Sequence, residues 1–65
     1  MDSSKLITER EAAAILGLSV STLRARRFKM LPPEYVKIGR AVRYDTAALA
    51  AYIENCRVKV VDNGG

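Results

Sequence analysis

Apolar residues along this chain fall into three helix-spaced clusters and one strand-like cluster. The first comprises Ala12, Ala13, Ile15 and Leu16, which form one broad stripe at helical spacing. The segment Thr8-Glu9-Arg10-Glu11 just before it has the pattern of a capping box. Thr8 would accept from the amide of Glu11, and Glu11 would reach back to Thr8. Gly17 stands where a left-handed residue ends such a helix. Leu18 is then expected to point inward, and Ser19 to cap a second helix over about Val20 to Phe28. Pro32 and Pro33 break that helix and fix an extended path. A third helix is expected from a cap at Asp45 or Thr46 to about Cys56. Its stripe is Ala48, Leu49, Tyr52, Ile53 and Cys56, so Cys56 is read as a buried structural cysteine.

The strand-like cluster is "YVKIGRAVRY", residues 35–44, read as a β-hairpin. A two-residue Gly39–Arg40 turn would pair Lys37 with Val42 and mix the faces. A three-residue connection, Gly39–Arg40–Ala41, would pair Ile38 with Val42, Lys37 with Arg43 and Val36 with Tyr44. The second register puts Val36, Ile38, Val42 and Tyr44 on one inward face and is the expected one. It makes Lys37 and Arg43 cross-strand neighbours, a repulsive pairing that an overlying anion would relieve. Residues 1–5 are expected as a loose N-terminus, 6–56 as the folded domain and 57–65 as a flexible tail.

A helix, the tripeptide Gly17-Leu18-Ser19 and a second helix make a helix–turn–helix pattern, with Leu16, Leu18 and Leu23 as the shared core. An ordinary helical corner would use the same apolar pattern. On a wheel with Leu23 inward, Ser21 and Ala25 point most directly outward, flanked by Thr22, Arg24 and Phe28, while Val20, Arg26 and Arg27 lie nearer the core. Ser21, Arg24 and Ala25 are the candidates for base contacts, since arginine binds guanine bidentately and an alanine methyl packs on that of thymine. Ser21 and Thr22 at the helix start suit a phosphate. Arg26 and Arg27 can run their stems along apolar surface and extend their guanidinium groups to a nucleic-acid backbone.

Charge sharpens this picture. The 65 residues carry 11 Lys and Arg against 7 Asp and Glu, a net +4. Residues 20–45 alone hold Arg24, Arg26, Arg27, Lys29, Lys37, Arg40 and Arg43 against Glu34 and Asp45, so the whole excess lies in the middle of the chain. A localised basic block points to a polyanion such as double-stranded DNA, the alternative being a solvated face. One cysteine and no histidine exclude an intrachain disulfide and argue against a zinc site or other cofactor. The length implies one domain, expected in the cytoplasm. No apolar run is long enough to span a bilayer. No carboxylate pair or glycine-rich loop suits an enzyme acting on a small molecule. A module docking an acidic protein partner stays open as a different class of function.

The two blocks "LITEREAAAILGLSVSTLRARR" and "LPPEYVKIGRAVRYDTAALAAYI" resemble the MerR-like excisionase and AlpA-type DNA-binding proteins. The correspondence runs through Ala13, Leu16, Gly17, Ser19, Ser21, Thr22, Leu23, Pro32, Val36, Lys37, Ile38, Gly39, Arg40, Arg43, Tyr44, Leu49 and Tyr52. The resemblance implies a winged helix–turn–helix: mainly α, with three helices plus a two-stranded wing. The second helix would lie in the major groove. The wing, carrying Lys37, Arg40 and Arg43, would touch the neighbouring minor groove or its phosphates. It also implies a recombination directionality factor of a phage or integrative element, working beside an integrase, or a small transcription regulator. One reading helix covers few base pairs, so useful specificity needs further copies of the chain on adjacent DNA sites, a dimer or a partner enzyme. This chain departs from the pattern in having Arg26 where many relatives carry an aromatic, with Phe28 as the substitute. It also has "FKML" in a link that often contains glycine.

Overall fold

A computed structural model describes residues 5–60. Six elements follow in order: strand β1 (Leu6–Thr8), helices α1 (Glu9–Leu16) and α2 (Val20–Phe28), strands β2 (Val36–Ile38) and β3 (Ala41–Asp45), and helix α3 (Thr46–Cys56). The strands form one antiparallel sheet in the order β1-β3-β2.

Local chemistry sets the helix limits. The Thr8 hydroxyl accepts from the Glu11 amide at 3.1 Å, and the Glu11 carboxylate accepts from the Thr8 amide at 2.9 Å, completing the capping box. The Ser19 hydroxyl accepts from the Thr22 amide at the start of α2, and the Asp45 carboxylate accepts from the Ala47 amide at the start of α3. Helices α1 and α2 end in the same way. After α1 the Leu18 amide donates to the Ala13 carbonyl and the Gly17 amide to that of Ala14. After α2 the Leu31 amide donates to Arg26 and the Met30 amide to Arg27. Each is a Schellman closure, which calls for a left-handed residue just past the helix. Gly17 fills that place with φ +69°, whereas Met30 fills it with φ +58°. Met30 is thus the residue in the link where a glycine is expected.

The core is Ala12, Ala13, Leu23, Tyr44 and Leu49, with Ile7, Leu16, Val20, Tyr35 and Val42 packed around it. The two alanines let α2 approach α1 closely. Leu23 anchors α2, Leu49 anchors α3, and Tyr44 brings in the sheet. Leu18 is not part of this core, since the closure after α1 turns its side chain to the surface. Cys56 is exposed in the last turn of α3, beyond the part of the stripe, Leu49 and Tyr52, that packs on the rest of the protein.

The hairpin register corrects the expected one. Val36 pairs with Arg43, Lys37 with Val42 and Ile38 with Ala41, so the connection is the two-residue Gly39–Arg40 turn. Gly39 has φ +61° and Arg40 is not left-handed, the arrangement of a type II′ turn with glycine in its first central place. Turn chemistry therefore outweighs the burial of two more apolar residues. Val36 and Ile38 do not anchor the wing. They lie on the outer sheet face with Leu6 and Arg43, and are exposed. Lys37 shares the other face with Val42 and Tyr44, and is not opposite Arg43. The repulsive Lys37–Arg43 pairing does not exist.

Strand β1 is an addition to the expected hairpin. Leu6, Ile7 and Thr8 pair with Asp45, Tyr44 and Arg43. Lys5, assigned above to the loose N-terminus, donates its amide to the Thr46 hydroxyl at 3.0 Å and accepts from the Thr46 amide at 2.9 Å. The rest of that N-terminus, and residues 61–65 of the expected tail, lie outside the described residues. Among the described residues no helix is long and apolar enough to cross a membrane.

Candidate nucleic-acid interface

Helix α2 presents Ser21, Thr22, Arg24 and Ala25 to solvent, with Leu23 buried behind them. The Ser19 hydroxyl donates to that of Thr22 at 2.8 Å while accepting from the Thr22 amide, so the cap also fixes the Thr22 side chain. Lys37 and Arg40 are exposed on the wing, Arg40 at its tip beside Gly39. Arg43 is half-buried on the outer sheet face and donates to the Val42 carbonyl at 2.8 Å. The structure thus separates the wing cations: Lys37 on one face, Arg40 at the turn and Arg43 on the other face.

Arg26 and Arg27 are held by the protein. The Arg26 Nε donates to the Pro32 carbonyl at 2.6 Å, and its guanidinium lies 5.7 Å from the centre of the Tyr52 ring. It stands where the resemblance implies an aromatic, and joins α2 to α3 and the link by cation–π stacking and one strong hydrogen bond. Phe28 does not substitute for that aromatic. It is 76% exposed, with the Arg27 guanidinium 5.0 Å from its ring centre.

Arg27 meets Glu9, a residue that no sequence pattern singles out as part of this surface. Its Nε donates to Glu9 Oε2 at 2.8 Å and its Nη2 lies 3.5 Å from Oε1. The Tyr44 hydroxyl donates to the same Oε2 at 3.4 Å, and the Arg24 Nε donates to Oε1 at 3.3 Å. Glu9 is only 12% exposed and Arg27 17%, whereas Arg24 is 60% exposed. Burial raises the Glu9 pKa, but the hydrogen bonds and charges of Arg27 and Arg24 outweigh it and hold the carboxyl below its ordinary range. Burial, then the Glu9 charge, pushes the Tyr44 phenol up, so that hydroxyl stays a donor. The cations of α2 do have an acid among them, and it comes from the first turn of α1. Glu9 stands in the capping segment, where local sequence reads it as first-turn dipole chemistry. Only the packing of α1 on α2 brings it to Arg24 and Arg27.

Three helices with the second exposed, and a hairpin beside them, define a winged helix–turn–helix. The sequence profile described as helix-turn-helix domain matches residues 6–57, nearly all of the described chain, and the protein belongs to that family of DNA-binding domains. No curated protein and no solved structure matches the chain.

Proposed function

We propose that this protein binds double-stranded DNA as a recombination directionality factor, placing α2 in the major groove and the β2–β3 wing against the adjoining backbone. The observation that supports this reading is the sorting of the α2 cations. Arg26 and Arg27, whose positions face the protein, are held there by Pro32, Tyr52 and Glu9, while Arg24 stays exposed beside Ser21, Thr22 and Ala25. Ser21, Arg24 and Ala25 would meet base edges, and Thr22 a phosphate at the helix start. On the wing, Lys37 and Arg40 would meet phosphates, with Arg43 at the margin. Arg26 and Arg27 set the pose of α2 rather than touching DNA.

The directionality role, and an integrase as partner, rest on the resemblance of the two sequence blocks to excisionase-type proteins. One reading helix spans few base pairs, so additional copies on adjacent sites or a partner enzyme would supply the rest of the specificity. Binding to duplex DNA measured across salt concentrations tests the polyanion partner. The two cationic phosphate contacts, Lys37 and Arg40, predict a log–log slope of about −2. A slope near zero would instead favour docking to an acidic protein. Footprinting on the attachment region and on promoters of the source element tests the role. Protection confined to promoters would refute the directionality reading and favour a small transcription regulator.

A further inference from the structure

The acid that meets the α2 cations does more than neutralise them. Glu9 Oε2 is held by two groups anchored in the protein: the Arg27 Nε and the hydroxyl of Tyr44, whose residue is fully buried. Its other oxygen, Oε1, faces the Arg24 Nε. The carboxylate is thus fixed from the core side before it reaches Arg24, the most exposed of the three α2 arginines. Arg24 engages it through Nε, and among the described residues its two Nη atoms have no partner. A guanidinium held at Nε keeps its plane and leaves its end-on edge, Nη1 and Nη2, pointing outward as two parallel donors. That is the fork complementary to O6 and N7 of guanine in the major groove.

We propose that Glu9 is a positioning residue for base recognition, fixing Arg24 so that its Nη edge reads a single guanine. This inference rests on the DNA-binding reading of α2. An unsupported arginine on a surface helix samples many rotamers and meets phosphates as readily as bases. Tying its Nε to a fixed carboxylate lowers the ordering cost of the bidentate contact and disfavours the alternative poses. The negative charge of Glu9 also lowers the attraction of this part of the surface for any phosphate. The expected effect is discrimination, and not simply tighter binding.

The test is selection from a library of randomised duplexes with the full chain, comparing the wild type with Arg24→Ala, Arg24→Lys and Glu9→Gln. The wild type should enrich a guanine at one position, and both Arg24 variants should lose it, because lysine lacks the planar fork. Glu9→Gln should weaken the guanine preference at that same position by about tenfold, leave the other positions unchanged and bind unrelated duplex more tightly. Arg24→Ala combined with Glu9→Gln should show no further loss there. A wild type that enriches no sequence would overturn the DNA-reading function itself. A wild-type preference that depends on Arg24 but survives Glu9→Gln would overturn only the role of Glu9. Uniform weakening over all sequences by Arg24→Ala, with Arg24→Lys retaining affinity, would assign Arg24 to a phosphate and overturn the guanine contact. Should Glu9→Gln fail to fold, the arginine side-chain 15N resonances of the wild type decide. The Arg24 Nε–H signal should keep its position when DNA is added while the Nη signals move, and a shifted Nε–H would refute the arrangement.

Discussion

The two Schellman closures offer a matched pair of perturbations, because one has glycine in the left-handed place and the other methionine. A left-handed backbone costs an L-residue about 1.5 kcal/mol. Against this, glycine has more freedom to lose on folding, about 0.7 kcal/mol relative to alanine. A Cβ built on Gly17 meets nothing within 4 Å, so Gly17→Ala changes the backbone balance alone and should destabilise by about 0.8 kcal/mol. Met30→Gly reverses the same balance. It also removes the small buried part of a side chain that is 78% exposed, about 0.4 kcal/mol of apolar contact. The net should be a gain of about 0.4 kcal/mol. For a domain of this size these values correspond to a Tm lowered by about 3–6 °C for Gly17→Ala and raised by about 2–3 °C for Met30→Gly. Thermal and urea melts followed by far-ultraviolet circular dichroism measure both. Met30→Ala is the control, since it removes the side chain but keeps the backbone cost, and it should not be stabilised. If Met30→Gly melts at or below the wild type, or if Met30→Ala gains as much, the backbone account of this link is wrong.

Other outcomes follow from the surface and its ion pairs. Arg40→Ala should weaken DNA binding and make the salt slope shallower by about one unit, as read by fluorescence anisotropy at several salt concentrations. Glu9 ionises at lower pH in the folded chain than in the unfolded one. Its stabilising contribution is therefore complete above about pH 4.3 and disappears as the pH falls through the lowered folded value. The fall in Tm on acidification should be smaller in Glu9→Gln than in the wild type. Equal acid sensitivity would show that Glu9 does not carry it. Cys56 should react with an aromatic disulfide reagent in the native protein at close to the rate seen in urea, whereas a slow, unfolding-limited reaction would contradict its exposure.

Much of this architecture was legible because its signals are local. Thr8, Glu11, Ser19 and Gly17 each act within a few residues of themselves, and the limits of α1 and α2 follow from them. The hairpin shows two local signals in conflict. The burial pattern of Val36 and Ile38 favoured one register, and Gly39 favoured the other. The glycine prevailed because a two-residue turn needs a left-handed first position, whereas a small wing can leave two apolar residues in water. What could not be read was non-local. Three residues that end on a helix cap give no strand signal unless β3 is known to have a free edge. Nothing near Glu9 indicates that it will face residues 15 and 18 positions further along. The outward placement of Arg24 was readable from the wheel, but the group that holds it was not.

The central place of β3 has a kinetic consequence. Its pairing with β2 closes a loop of two residues, whereas its pairing with β1 joins positions about 40 apart, such as Lys5 and Thr46. Loop closure makes the first contact early and the second late. During synthesis Leu6–Thr8 leaves the ribosome first yet has no strand to join until Asp45 has been made. The first strand synthesised is the last to be paired, and until then one edge of β3 stays open.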